Sequence, residues 1–343
     1  MDPTLLLAIV VVILALLFAF SNGFNDAANA IATVISTGAL TPAQAIIGAA
    51  VCEFAGAYFL GTAVAMTISK GIIDPELIAG GGGIIIVMAA LIGSTLWNVW
   101  CTVLGFPISA SHSLIGGFIG SAFFGYGAMC IQWDNVIKIF MVLLLTPVLG
   151  IIASFLLLKV TYFFLQNATP RVKKIIRIMN VASAMLFALA HGTNDGQKPM
   201  GIIVFSLIVL GFYKTPADNF VIPVWVVIAC AAAITLGVAV GGRGVIKTVG
   251  SGIFRIRDIH AFSAQLSGAA VIYVATIFGL PLSTTHMISS TVTGAGAGER
   301  VKGVRWQMMG KIFIVWIITI PATAAFCGVI YMLLKNMAGF LGI

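Results

Sequence analysis

Residues 105–112 read GFPISASH and residues 279–286 read GLPLSTTH, two copies of G-x-P-x-S-x-[ST]-H set 174 positions apart. Upstream, GFNDAANAI from Gly23 matches GTNDGQKPM from Gly192, 169 positions on; downstream, Trp133 and the KIF of 138–140 match Trp306 and the KIF of 311–313 at a spacing of 173. Three landmarks in one order at nearly one spacing mean that the chain contains itself twice. The halves cover 1–166 and 178–343, with a basic linker at 167–177 between them.

Both halves are strongly apolar. Only 8% of the 343 residues are charged and 60% are hydrophobic, with a mean hydropathy of +1.13, against roughly 25% charged residues in ordinary soluble domains. The apolar stretches are long enough for helices and lack the alternating ten-residue segments of a membrane β-barrel. An all-α polytopic membrane protein with about 10–12 membrane segments is expected. The Met-Asp-Pro start has no basic flank and its apolar run leads into SNGFND, so it reads as a retained segment and not a signal peptide. Five scattered cysteines form no C-x-x-C and indicate neither zinc nor a disulfide framework. The formal charge of +8 sits in loops and reports orientation; no nucleic-acid partner is expected.

Loop charge decides how the halves are related, because Lys and Arg accumulate on the cytoplasmic side. The loop at 69–83 holds Lys70, Asp74 and Glu76, whereas its counterpart at 241–258 holds Arg243, Lys247, Arg255, Arg257 and Asp258. Likewise 126–137 has only Asp134, against Glu299, Arg300, Lys302 and Arg305 in 298–305. Equivalent loops therefore fall on opposite sides. With Arg171, Lys173, Lys174 and Arg177 placing the linker inside, each half crosses an odd number of times and both termini lie outside. Two inverted-topology repeats of this kind, with broken helices and re-entrant half-helices, are an architecture of secondary transporters.

Of the ten acidic residues, only Asp26, Glu53 and Asp195 sit within apolar segments, and two of these belong to the repeated Asn-Asp pairs. A carboxylate at the centre of a membrane helix costs about 2.5–3.5 kcal/mol on insertion scales, so a purely structural role explains it poorly. Gly23 and Gly192 precede the pairs, and the reading is a helix broken there, whose unwound carbonyls join the Asn and Asp oxygens in a hard-cation or proton site. The alternative is a kink capped by an asparagine. In G-x-P-x-S-x-[ST]-H, proline stops one helix and Ser109 or Ser283 caps the next, which runs about sixteen residues, roughly 24 Å. That is shorter than the ~30 Å hydrocarbon core. Inversion would point two such helix N-termini at each other near the midplane, an arrangement suited to an oxyanion, although Ser, Thr and His also bond helices together without binding anything.

Several single residues stay open. Lys198 could neutralise Asp195, touch substrate or snorkel to the surface. Glu53 has no acidic counterpart and could couple protons or partner a polar neighbour. His112 and His286 fit neutral hydrogen-bonding histidines better than titrating ones. Gly80–Gly83 lacks the G-x-x-x-x-G-K-[ST] pattern and reads as a flexible external connector. Gly116 and Gly120, with Gly294 and Gly298, permit tight helix packing within or between protomers. An intramembrane hydrolase is disfavoured because its constellation would be asymmetric, and a channel would show neither saturation nor need of a gradient.

GFNDAANA at 23–30, HGTNDGQKPMG at 191–201 and the two G-x-P-x-S-x-[ST]-H stretches together resemble the inorganic phosphate transporter (PiT) family along essentially the whole chain. The resemblance implies a cation-coupled symporter importing phosphate by alternating access, with no cofactor, in the plasma membrane, and a homodimer. Carried over by motif, Asn25, Asp26, Asn194 and Asp195 are the cation and coupling candidates, with sodium at the Asn-Asp pairs. Ser109, Ser111, Ser113, Ser283, Thr284 and Thr285 are the phosphate candidates; Asn29, Glu53, His112, Lys198, Gln265 and His286 are accessory ones. Many members carry glutamate where this chain has Gln265, which leans the coupling ion from proton to sodium. Some divergent relatives carry sulfate and lack intact Asn-Asp pairs, so the intact pairs here favour phosphate.

Overall fold

The computed structural model describes residues 2–74, 77–78, 81–214, 221–241, 245 and 248–341. Glu76, Gly80, Arg243 and Lys247, used above in reading the loops, lie outside the described residues. Among those described there are twelve α-helices: α1 (Pro3–Ser36), α2 (Pro42–Phe59), α3 (Ala63–Gly71), α4 (Gly81–Val103), α5 (Ala110–Tyr126), α6 (Trp133–Leu165), α7 (Val172–Asp195), α8 (Gln197–Val209), α9 (Val224–Val240), α10 (Asp258–Ile277), α11 (Thr284–Arg300) and α12 (Trp306–Leu341). Six spans are long and apolar enough to cross a membrane, α7 and α8 counting as one, and a seventh if α2 and α3 form one span bent by 71°. The chain is an all-helical, multi-pass membrane protein.

The repeat seen in the sequence recurs in the elements. Single-turn 3₁₀ segments at Ala128–Cys130 and Val301–Gly303 precede α6 and α12, and these two long helices each contain a proline, Pro147 and Pro321. Helix α7 begins at Val172, within the stretch read as linker, so Lys173, Lys174 and Arg177 lie on its first turns. The halves interlock: α1 packs on α9 and α2 on α7, while α5 packs on α12 and α11 on α6. Both hydrophobic cores consequently draw residues from both halves, for example Phe18, Leu91 and Val226 in one and Ile31, Phe187 and Ile288 in the other.

The predicted break at SNGFND does not occur. Helix α1 runs unbroken from Pro3 to Ser36, and Gly196, between α7 and α8, keeps helical angles (φ −63°, ψ −30°). The glycines serve close approach of helices. A Cβ on Gly23 would lie 2.0 Å from the Ile234 carbonyl oxygen, and one on Gly192 would lie 2.2 Å from that of Glu53. The break falls instead between α2 and α3, where Gly61 turns the chain at φ +97°, a conformation open to glycine at no steric cost. Gly81–Gly83 are likewise no connector but the first turn of α4, where a Cβ on Gly83 would meet the Ile78 carbonyl oxygen at 1.7 Å.

The half-helices form as read. Ser109 and Ser283 accept from the backbone N–H groups of His112 and His286 at 3.2 Å each, capping α5 and α11. At seventeen residues each helix is about 25 Å long. Their small residues pack within the protomer: Cβ atoms on Gly120 and Gly294 would fall 1.9 Å from the Ala324 carbonyl oxygen on α12 and 2.3 Å from that of Ile151 on α6.

Candidate functional site

Helices α1 and α7 bring their Asn-Asp motifs to the starts of α5 and α11. Asp26 and Asp195 are both buried. Between them lies His191, whose Nε2 is 3.4 Å from Asp26 Oδ2 and 3.3 Å from Asp195 Oδ2, while its Nδ1 is 2.8 Å from Glu53 Oε1. Lys198, one turn beyond Asp195, places Nζ 2.5 Å from Asp195 Oδ1 and donates to Ser111 Oγ at 2.5 Å and the Leu282 carbonyl at 3.0 Å. It is 0% exposed, which settles it as a buried partner and not a snorkelling one.

The hydroxyls of α11 meet the same carboxylates. Thr285 Oγ1 donates to Asp26 Oδ1 at 2.6 Å, and Thr284 Oγ1 lies 3.1 Å from Asp195 Oδ2 and 3.3 Å from Asp26 Oδ2. Asn22 Nδ2 donates to Asp195 Oδ2 at 3.3 Å. The motif repeat is visible in these contacts. Asn29 and Lys198 are equivalent positions; Asn29 donates to Thr285 at 3.3 Å while Lys198 donates to Ser111, which is the equivalent of Thr285.

Asn25 and Asn194 have a second task. Asn25 Nδ2 donates to the Ile108 carbonyl at 3.0 Å and its Oδ1 accepts from Thr102 at 2.9 Å; Asn194 Nδ2 donates to the Leu280 carbonyl at 3.2 Å and to Thr276 at 2.8 Å. Each therefore ties a membrane helix to the segment that leads into a half-helix. Asn25 also donates to Asp26 Oδ1 at 2.8 Å, so it orients the carboxylate as well.

The remaining predicted residues are placed apart. Ser109 and Ser283 are spent on capping, and Ser113 donates to Asn98 Oδ1 at 2.6 Å. His112 and His286 pack at 4.4 Å between ring centroids with their planes tilted by 38°, and Trp316 stacks on His286 at 3.8 Å. They line a separate cavity of about 190 Å³ with Leu143, Pro147 and Pro321. Gln265 lies near Thr33 and Ser183, outside the carboxylate cluster. Because α1 is continuous, the unwound carbonyls expected at Asn25 are absent and the carboxylates and amides are the ligands on offer.

Two residues that stand within the quoted motifs, Asn22 and His191, were not among the site candidates. They are equivalent positions, each four residues before an aspartate, and the i,i+4 spacing puts them on the aspartate's face of the helix. Asp26, His191 and Asp195 each present one ligand atom, all within 4.8 Å of one another, a set able to hold a small cation. Asn22 Oδ1, Asn29 Oδ1 and Glu53 Oε2 are buried acceptors without a hydrogen-bond partner, and such groups are costly unless something positive meets them. Electrostatically, three carboxylates face one ammonium and one imidazole. The hydroxyls and helix starts of α5 and α11 sit beside that excess of negative charge.

Comparison with known proteins gives the context. Residues 22–327 match the model of the phosphate transporter family. A Bacillus subtilis (strain 168) protein named "Probable low-affinity inorganic phosphate transporter" is 42% identical over 98% of this chain and 99% of its own length. Proteins of the same name from Rhizobium meliloti (strain 1021) and Mycobacterium tuberculosis (strain ATCC 25618 / H37Rv) are 39% and 38% identical, over 96% and 100% of this chain and 98% and 81% of theirs. A solved structure titled "The sodium-dependent phosphate transporter" superposes with a TM-score of 0.88 at 25% identity, covering 96% of this chain and 99% of that one.

Proposed function

The chain belongs to the phosphate transporter family, and on that premise we propose that it is a sodium-coupled inorganic phosphate symporter working by alternating access. The observation that carries this reading is the wholly buried cluster in which Asp26, Glu53 and Asp195 outnumber Lys198 and His191. A phosphate anion cannot enter beside such a cluster unless cations enter too, because each unpaired buried charge costs several kcal/mol. In the proposed mechanism sodium sits between Asp26 and Asp195, with Asn22 and Asn29 supplying neutral oxygens. Phosphate is received by Ser111, Thr284, Thr285, the ammonium of Lys198 and the opening N–H groups of α5 and α11. Sodium and phosphate each lower the cost of burying the other, and that mutual dependence is the coupling. The sodium-dependent title of the superposing structure favours this ion.

Transport physics points the same way. Moving a monoanion into a negative interior opposes about 2.3 kcal/mol per 100 mV; one monovalent cation cancels that term and a second reverses it. A proton-coupled variant is favoured by one specific observation, the contact of His191 with Glu53 and both aspartates, which is a geometry for passing a proton among them. The proposal extends to two inverted repeats, 1–166 and 178–343, both termini extracytoplasmic, residence in the plasma membrane and a homodimer.

The test is labelled phosphate uptake into proteoliposomes under an inward sodium gradient, beside sodium-free vesicles with an inward proton gradient. Uptake with sodium alone is expected. Uptake with protons alone would transfer the coupling role to the His191–Glu53 contact, and uptake of sulfate in place of phosphate would overturn the substrate.

A further inference from the structure

The cavity at the starts of the half-helices is lined by the imidazoles of His112 and His286, which are 4% and 2% exposed. Nδ1 of His112 is buried without a hydrogen-bond partner, and so are both ring nitrogens of His286. His286 faces the Leu143 carbonyl but completes no hydrogen bond to it. Trp316, stacked on His286, spends its Nε1–H on the Pro107 carbonyl at 3.1 Å and so offers the histidines nothing. A neutral imidazole carries one donor and one acceptor, and leaving them unmet inside a protein is costly.

The rest of the lining is apolar, and its size and opening narrow what could meet these nitrogens. Phe140, Leu144, Phe313 and Ile317 line the cavity and are exposed on α6 and α12, two of the spans long and apolar enough to cross a membrane. The cavity is therefore reached from the bilayer. Its volume is about 190 Å³, and an apolar cavity of about 150 Å³ already takes benzene, so it holds one ring. The aromatic walls at Phe140, Phe313 and Trp316 favour a flat ring over an acyl chain. A hydroxyl both donates and accepts, so a ring carrying one answers both needs of the histidines.

Both halves build this cavity. His112 and His286, Phe140 and Phe313, and Leu144 and Ile317 are equivalent positions, 174, 173 and 173 residues apart. A molecule lodged there would touch α5 and α11 one residue from Ser111 and Thr285, which meet Lys198 and Asp26. We propose that the cavity is a binding site for a phenol dissolved in the bilayer, its hydroxyl bonded to the His112–His286 pair, and that a bound phenol ties the two half-helices together and slows phosphate transport. The site stands on its geometry alone; its effect on uptake rests on the transport reading.

The experiment is binding of radiolabelled p-cresol to the full chain in lipid nanodiscs, with p-xylene, the same shape with methyl for hydroxyl, as competitor at matched concentration in the bilayer. Saturable binding of one p-cresol per chain is expected, with p-xylene about fivefold weaker for the loss of one hydrogen bond. No saturable binding above empty nanodiscs, or p-xylene competing as well as p-cresol itself, would overturn the inference. Leu144→Trp and Ile317→Trp fill the cavity from its lipid side and are each expected to abolish binding; parental binding in both would overturn it. In proteoliposomes p-cresol is expected to lower the maximal rate of phosphate uptake by the parent without raising KM, and to leave Ile317→Trp unaffected. Equal inhibition of both would mean that the phenol acts through the bilayer and would overturn the proposed effect. A parent that takes up no phosphate under either cation gradient would bring down the transport reading, while the binding measurements would decide the site by themselves.

Discussion

A carboxylate at Asp26 is tolerable in this fold because Thr285, Asn25 and Thr284 donate to it and His191 stands beside it. Asp195 leans on Lys198 instead. Neutralising either aspartate removes the negative charge that a cation would balance, so Asp26→Asn and Asp195→Asn are each expected to abolish gradient-driven phosphate uptake while the protein still elutes as a folded species on size exclusion. Near-normal uptake in both would remove the site assignment. Lys198→Met leaves Asp195 buried without its ammonium; losing one partner of a buried pair costs about 3–5 kcal/mol, expected as a clear drop in melting temperature with a rise in KM for phosphate. The aspartates and the hydroxyls of Ser111, Thr284 and Thr285 were legible in the sequence because polar atoms stand out in an apolar chain and the repeat marked them twice, but the same signal also picked out Ser109, Ser283 and Ser113, which cap helices or bond Asn98 instead. Asn22 and His191 were not legible, since neither is acidic and only the i,i+4 relation to an aspartate, seen on an unbroken helix, makes them neighbours of the site.

At the scale of elements, a glycine looks the same in sequence whether it loosens a helix or lets another helix approach. That ambiguity is why SNGFND read as a break while α1 is continuous. The distinction has a measurable sign. In an isolated helix interior Gly→Ala stabilises by about 1 kcal/mol, yet at Gly23 the new Cβ would fall 2.0 Å from the Ile234 carbonyl oxygen. Gly23→Ala is expected to destabilise by about 1–3 kcal/mol, the range for overpacking, measured by thermal melting in detergent; a rise in stability would contradict the crossing. The half-helices were legible because proline and a capping serine are local signals. The bend between α2 and α3 was not, since its apolar residues continue on both sides of Gly61 and only the backbone turn divides them.

For the whole molecule, the two repeats are legible in the sequence but their interlocking is not, because spacing along a chain says nothing about which half supplies a helix's neighbour. Each core contains helices of both halves, so neither half can bury its apolar faces alone. Residues 1–168 and 169–343 expressed separately are expected to aggregate on extraction, and co-expressed to purify as one complex with transport activity; a monodisperse single half would contradict the interleaved core. The same interlocking brings Asp26 from one half and Asp195 from the other to a single imidazole, with Thr284 and Thr285 beside both. In the proposed mechanism cation and phosphate share that site, so that neither should move without the other. The most direct measurement is labelled sodium entry into proteoliposomes with and without external phosphate, no sodium flux being driven by anything else. Sodium entry is expected to rise with phosphate and saturate with it, in a fixed ratio to phosphate entry; sodium entry indifferent to phosphate, beside phosphate uptake that proceeds regardless, would rule out a shared site.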